Sequence, residues 1–216
     1  MSISTELTTL STNITNAYNA IQTKGGTIPA NKNTENLKTA INSINSYENS
    51  LRDMISNRSL MTTVDFPSGI TSIGNYAFSG CSRLALTSLP SGITSIGVSA
   101  FYYCRSLALT SLPSGITSIG NNSFNNCTSL VLTSLHNSIT SISSYAFGNC
   151  TGLTSLRIGS NIQTIASSSF DGCTNLTTIY INLPRATVEA MSGYSSKWGA
   201  TNATIICNDD TGWVEA

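Results

Sequence analysis

The cysteines are the residues whose chemistry the sequence offers first. Five of the six recur at a constant 23-residue step: Cys81, Cys104, Cys127, Cys150 and Cys173. No C-x-x-C pair occurs, so the clustered ligands of a zinc site are missing. Stacked on neighbouring strands, the five Cα atoms would come close enough for a disulfide. Their side chains would, however, all point the same way, and five thiols cannot pair completely. We therefore expect a buried, reduced ladder with no metal and no cofactor, and a separate buried thiol at Cys207.

The repeats contain few residues that could act in acid–base catalysis. The single histidine, His136, takes the position that a proline holds in each of the three preceding units, which indicates a turn residue. No Asp or Glu occurs between Asp65 and Asp171, so paired-carboxylate hydrolysis has no candidates in that span. The pair Asp209-Asp210 could bind a cation weakly, and a solvated tail is the preferred interpretation. We predict a protein that is not an enzyme and has no catalytic residues.

Hydroxyl groups are the abundant surface chemistry, because 64 of the 216 residues are Ser or Thr while only 9% are charged. They recur in two arrays at the same step as the cysteines. The first array holds the candidate binding face of Thr87, Ser88, Thr110, Ser111, Thr133 and Ser134, with Thr154-Ser155 as an expected fourth rung. The second holds Thr71-Ser72, Thr94-Ser95, Thr117-Ser118 and Thr140-Ser141. Either the arrays supply β-propensity and solubility without charge, or one of them is a flat, uncharged binding face.

Tyrosines provide a second candidate for contact with a ligand. Tyr102 and Tyr103 are adjacent, and Tyr76 and Tyr145 occur at similar places in other units. Tyrosine combines rigid contact area with a polar tip, as binding faces use. A packing role for either ring of the Tyr102-Tyr103 pair is an equal alternative.

A sequence repeat must position all these groups. Five apolar columns, the cysteines among them, keep perfect register. The other four contain Phe78, Phe101, Phe124, Phe147 and Phe170; Ile73 to Ile165; Ile70 to Ile162; and Leu84 to Leu176, each at the same step. One unit is too small to bury its apolar side alone, so units must stack into a continuous core. Each unit is expected to hold a short strand such as Leu86–Leu89, Pro-Ser-Gly turns, a second strand such as Ile93–Gly97, and a tight turn around its Phe.

One irregularity divides the units. Early units follow the pattern L-x-L-x-x-L, whereas the units after Cys150 and Cys173 follow L-x-x-L-x-I. Side chains alternate between the faces of a strand. We therefore expect a bulge or kink where the later pattern appears.

The units resemble the BspA-like leucine-rich repeat with its I-G-x-x-A-F-x-x-C core. The matching segments include Ile73–Cys81 and Ile96–Cys104, and the resemblance covers about residues 58–182. It implies a β-rich right-handed repeat solenoid with a binding or structural role and no common catalytic site. Members occur among bacterial surface proteins and some phage-encoded proteins.

Residues 1–48 follow a different pattern. Apolar residues from Ile3 to Ile21 step by 4 and 3, as in a heptad helix that ends at Gly25-Gly26. A second helix is expected over Thr34–Ile44. The pair is interpreted as an intramolecular hairpin or, alternatively, as a homo-oligomerisation stalk. The run Ala17–Thr34 resembles the N-terminal region of tail-associated structural proteins of phages of Gram-positive bacteria, which implies a virion-attachment end.

The expected organisation is therefore an N-terminal helical segment at 1–48, an N-terminal cap with a first strand at 49–66, the solenoid at 67–182 and a C-terminal cap at 183–216. That last cap is expected to hold a short helix around Thr187–Met191, Trp198 and a closing strand at Ala203–Cys207. Atypical end units are typical of solenoids.

Composition narrows the partners. Ten basic residues balance ten acidic ones, so binding to nucleic acid has no electrostatic basis. No apolar run approaches the roughly 18 residues from which a membrane-spanning helix is recognised, which argues against membrane insertion. The Met1–Glu6 start lacks the pattern of a secretory signal, so synthesis in the cytoplasm without that export route is expected.

Together these features predict a non-enzymatic interaction protein that binds a protein or glycan surface. The first hypothesis is a phage or prophage virion-associated protein that recognises a host surface. The alternative is a bacterial cell-surface adhesin, and a weaker one is an ice- or mineral-binding Thr/Ser ladder.

Overall fold

The computed structural model describes residues 58–211 and Trp213. These residues form a parallel β-solenoid in which each turn pairs with the equivalent residues of the next unit, as Ser72 pairs with Ser95. The predicted solenoid is therefore confirmed. The helices predicted within residues 1–48 lie outside the described residues.

One side of the solenoid is built from two-residue strands. They are β1 (Ser72–Ile73), β2 (Ser95–Ile96), β3 (Ser118–Ile119), β5 (Ser141–Ile142) and β7 (Thr164–Ile165). β1 pairs with β2, and β3, β5 and β7 form a parallel three-stranded sheet. In each strand the isoleucine is buried and the hydroxyl residue points outwards, which confirms the second strand predicted for each unit.

A second side carries longer strands only towards the C-terminus. Its sheet has the order β4 (Ser134–Leu135), β6 (Ser155–Ile158), β8 (Thr178–Ile181) and β9 (Thr204–Cys207). All of its pairings are parallel. The strand predicted at Leu86–Leu89, and its equivalent at Leu109–Leu112, is absent.

The expected kink was assigned to the wrong units. In β6 the buried residues Leu156 and Ile158 alternate with outward ones, as a regular strand requires. In the earlier pattern two outward residues, Thr and Ser, separate the last two buried leucines, so side chains cannot alternate and no regular strand forms. Leu135 already pairs with Ile158. The one-residue shift is therefore absorbed between Leu130 and Ser134.

The third side of each unit is a tight turn around the phenylalanine. Two positions per turn adopt the left-handed conformation. One holds Tyr76, Ser99, Asn122 and Tyr145, and the other holds Gly80, Tyr103, Asn126, Asn149 and Gly172. Backbone N–H groups of one turn donate to carbonyls of the next, as from Phe78 to Ala100 at 2.8 Å. The turns thus form a hydrogen-bonded ladder of their own.

The core is a set of stacked columns. Neighbouring phenylalanine rings lie 5.3–5.6 Å apart between centroids and within 10° of parallel. Phe101, Phe124, Phe147 and Phe170 are fully buried, whereas Phe78 in the first of these turns is only partly buried. Edge-on contact with Phe66, at 6.0 Å, partly covers it.

The cysteine column lies beside the phenylalanines. All six cysteines are buried and none forms a disulfide. Each thiol from Cys104 to Cys173 donates to the carbonyl of the phenylalanine one unit earlier, for example from Cys127 Sγ to Phe101 O at 3.1 Å. Each of these carbonyls also accepts from the backbone N–H three residues later, as Phe101 O does from Cys104 N–H at 3.0 Å, so the thiol is a second donor that links neighbouring units.

The C-terminal cap closes the solenoid with a short helix, α1 (Arg185–Glu189), a 3-10 helix (Tyr194–Gly199) and β9. Trp198 is fully buried, and its carbonyl accepts from Phe170 N–H at 2.9 Å, which ends the turn ladder. At the other end a 3-10 helix spans Arg58–Leu60, and the first strand predicted within Arg58–Phe66 is absent.

Candidate functional site

The first hydroxyl array forms an exposed column on the side of the solenoid that carries β4. Thr87, Ser88, Thr110, Ser111 and Thr133 are exposed, and Ser134 is half-buried. None of these six hydroxyls bonds to a protein acceptor among the described residues. The column therefore presents hydroxyl groups whose hydrogen bonds are open to water or to a ligand.

The second array is partly used by the fold itself. The hydroxyls of Thr94 and Thr140 each donate, at 3.2 Å, to the carbonyl of the threonine one unit earlier. In these two units the side chain adds one bond to the parallel ladder. Two of the eight hydroxyls in the second array are therefore engaged by the fold, whereas none of the six in the first column is, and the second array is the weaker candidate for binding.

The expected fourth rung of the first array is wrong. Ser134 pairs with Arg157, and Ser155 pairs with Thr178 instead. The serine column of Ser88, Ser111 and Ser134 thus continues into Arg157 and Tyr180, because the shifted pattern of the later units moves Thr154-Ser155 out of line. The first hydroxyl column therefore ends at the guanidinium of Arg157 and the ring of Tyr180.

An aromatic and cationic cluster occupies that end of the column. The Arg157 guanidinium lies 4.4 Å from the centroid of the Tyr180 ring and 5.9 Å from that of Trp213. The two rings meet edge to face at 6.4 Å. Both rings therefore lie within cation–π distance of Arg157.

A groove of about 350 Å³ lies beside this cluster. Ser134, His136, Asn137, Arg157, Asn182 and Trp213 are among the residues that line it. No carboxylate does. His136 is exposed in the predicted turn, with its carbonyl accepting from Ile139 N–H at 3.0 Å, as the carbonyl of Pro113 accepts from Ile116. The lining of the groove therefore combines an aromatic ring, a cation and amide groups.

Sequence reasoning missed Arg157, Tyr180 and Trp213. A signal existed, because counting one repeat period onward from Ser134 reaches Arg157, and a second period reaches Tyr180. Residue type aligns Thr154-Ser155 with the earlier Thr-Ser pairs, whereas the 23-residue period aligns Arg157 with Ser134. Trp213 stands outside the repeat, and only the fold of the cap brings it to the groove.

The tyrosine pair lies elsewhere, in a phenylalanine turn. Tyr102 and Tyr103 are half-buried and meet edge to face at 4.6 Å, with the Arg105 guanidinium 5.3 Å from the Tyr103 centroid. Tyr103 has a φ of 60° at a position that glycine holds in two other units. A bulky residue there is strained. The pair is a separate candidate and does not extend the hydroxyl column.

The carboxylate pair at the C-terminus is structural, which corrects the solvated-tail interpretation. Asp210 forms a short, two-point ion pair with the Arg185 guanidinium, and Asp209 accepts from Arg185 N–H at 2.8 Å. Asp210 also accepts from Cys207 N–H.

Within the described residues no group of three or more His, Cys, Asp or Glu side chains could hold a metal ion. The same residues include no helix long and apolar enough to span a membrane.

Comparison with known proteins identifies the repeat. The family model for BspA type leucine rich repeat regions matches residues 48–177 in six copies. A leucine rich cell surface protein from Faecalibacterium prausnitzii is 31% identical, with a TM-score of 0.56; the match covers 62% of this chain and 35% of that one. The T. pallidum leucine rich repeat protein is 28% identical, with a TM-score of 0.51, over 69% of this chain and 75% of that one. No curated protein matches. The chain spans only about a third of the Faecalibacterium protein.

Proposed function

Because the chain belongs to the BspA-type leucine-rich repeat family, we propose that it is a non-enzymatic interaction protein that binds a protein or glycan surface through its first hydroxyl column. Repeat solenoids present extended surfaces on which many weak contacts add up. The cell-surface description of the similar Faecalibacterium protein is consistent with such a role. In this function the first hydroxyl column recognises the partner, and the buried phenylalanine and cysteine columns stabilise the fold.

One observation carries the proposal: the hydroxyls of the first column have no protein acceptor among the described residues, although those of the second array partly do. The body of the solenoid is also uncharged along this column until Arg157. A ligand can therefore replace water at these hydroxyls without the desolvation of a charge.

The proposed setting is a phage or prophage virion, in which residues 1–48 attach or oligomerise and the solenoid faces a host surface. Its support is the resemblance of Ala17–Thr34 to phage tail-associated proteins. The alternative is a bacterial cell-surface adhesin, which the similar Faecalibacterium protein favours. Mass spectrometry of purified virions and of cell-wall fractions from the same culture would separate the two settings.

A charge placed in the middle of the column tests the proposed binding face. The labelled full chain would be applied to intact cells of Gram-positive hosts and to a glycan array. We expect Ser111→Lys to lower apparent affinity at least tenfold, because the lysine obstructs the central rung. Ser118→Lys, an equally exposed position in the second array, is the matched control and should bind as the wild type does.

Equal binding by both variants would contradict the assignment of the face. An ice-binding role would instead appear as thermal hysteresis. Measuring it in the same two variants would show which of the two arrays contacts ice. Loss of binding in Ser118→Lys alone, with retained fold, would transfer recognition to the second array.

A further inference from the structure

We propose that the groove at the end of the hydroxyl column binds an acidic sugar, that is, a pyranose ring that carries a carboxylate. The inference rests on the proposed function, since it names the ligand chemistry at one end of the same face. It concerns Asn137, Asn182 and Trp213, with Arg157 as the charged residue in the same lining.

The lining of the groove offers hydrogen-bond donors. Asn137 Oδ1 accepts from Ser160 N–H at 2.9 Å, and Asn182 Oδ1 accepts from Asn208 Nδ2 at 3.2 Å. The two amide oxygens are therefore occupied, while neither Nδ2 group has a protein acceptor among the described residues. Two amide groups that line the groove therefore keep donors available for a ligand that is rich in acceptors.

The electrostatics favour an anion. From residue 66 to residue 170 the chain contains three arginines and no Asp or Glu. Arg157 lines the groove, and no carboxylate does. The positive potential of the groove attracts an anionic ligand. This attraction depends on the charge of Arg157 and not on which groups its guanidinium contacts.

The ring favours a sugar over a peptide. Trp213 lines the groove and is half-buried, so part of its indole remains open to the C–H face of a pyranose. A volume of about 350 Å³ is at the small end of ligand sites and fits one sugar residue. An extended peptide binds by adding a strand to a free edge, and β6, which lines the groove, is already paired on both sides, with β4 and β8.

The test follows the indole resonances of the full chain by two-dimensional NMR. Methyl β-glucuronide is the probe, methyl β-glucoside the uncharged comparison, and an Asp-containing tripeptide the peptide comparison. We expect a saturable shift of the Trp213 indole with the glucuronide, at least tenfold weaker binding of the glucoside and no response to the peptide. The buried Trp198 indole, which donates to Ser192 O, should stay unmoved.

Two isosteric variants give the matched comparison. Asn182→Asp places a carboxylate in the groove and should weaken glucuronide binding at least tenfold. Asn121→Asp makes the same change in a second cleft of about 350 Å³ that has no ring and no arginine, and it should bind as the wild type does. A missing Trp213 shift, an equal response to the glucoside, or tighter binding of the peptide would overturn the proposal.

The two proposals fail separately. If the glucuronide does not bind while Ser111→Lys still abolishes surface attachment, the groove assignment is wrong and the hydroxyl face stands. If Asn182→Asp abolishes glucuronide binding while Ser111→Lys attaches normally, the hydroxyl face is wrong and the groove stands.

Discussion

Each phenylalanine in the middle of the core is shared by three units, because its ring stacks on both neighbours. Phe124→Ala should therefore lower the free energy of unfolding by about 3–5 kcal/mol, the usual cost of truncating a buried aromatic residue. Chemical denaturation measures it. Phe78→Ala is the control and should cost less, since Phe78 is only partly buried. A loss below about 1 kcal/mol at Phe124, or equal losses at both sites, would contradict this account of the column.

The thiols should be chemically silent in the folded protein. Burial raises the pKa of Cys150 and Cys127 well above the ordinary value and that of Cys173 to about 12, so hardly any reactive thiolate forms. We expect a thiol reagent at pH 8 to label all six cysteines only after denaturant is added, which mass spectrometry would count. Rapid labelling of the core column without denaturant would show that this column is open.

Single residues in the repeat could be predicted because one period fixes their environment many times over. The Phe and Cys columns are buried where the period places them, apart from Phe78, which is partly buried. Tyr103 could not be predicted, because only the fold shows that it occupies a glycine conformation. The role of Asp210 was also missed, since its partner Arg185 lies 25 residues away.

Among the elements, the C-terminal cap contains an ion pair between Arg185 and Asp210. The hydrogen bonds from Arg185 hold the pKa of Asp210 below the ordinary value of about 3.9. Its folded-state pKa is depressed, so its stabilising effect is present above the ordinary pKa and is lost as the pH falls through the lower, folded value. We expect the amide of Cys207, which donates to Asp210, to lose hydrogen-exchange protection below about pH 4.

Asp210→Asn should reduce that protection already at pH 7 and should weaken its dependence on acid. Asp65→Asn, at an exposed position far away in sequence, is the control. Unchanged protection of Cys207 in Asp210→Asn would show that the ion pair does not hold the cap.

Strands were predictable only where the sequence alternates. The isoleucine strands, the short helix and the closing strand are found near their predicted positions, as for Thr204–Cys207. Leu86–Leu89 was assigned to a strand on composition, although two outward residues separate its leucines. Where alternation returns, at β6, the strand doubles in length from two residues to four. Pattern within the unit, and not residue type, therefore decides where this sheet begins.

At the scale of the whole molecule, the modular hypothesis assigns attachment to residues 1–48 and recognition to the solenoid. Deleting residues 1–48 should leave a folded solenoid, because the described core starts only at Val64 and Phe66. We expect a lower oligomeric state, or loss of virion incorporation, with target binding retained. Light scattering and circular dichroism would measure the first outcome and the fold, and an unfolded truncation would remove the main support for an attachment role.

The hydrogen bonds between units run in both directions. On the strand side an N–H donates to the preceding unit, as from Thr94 to Thr71, and on the turn side to the following one, as from Phe78 to Ala100. On these two sides, interior units therefore offer matching donors and acceptors at their upper and lower surfaces. An in-frame duplication of one complete unit in the gene would be accepted without a mismatch, so members of this lineage should differ in length by whole repeat units. Such length variants would change the reach of the binding face while leaving both caps intact.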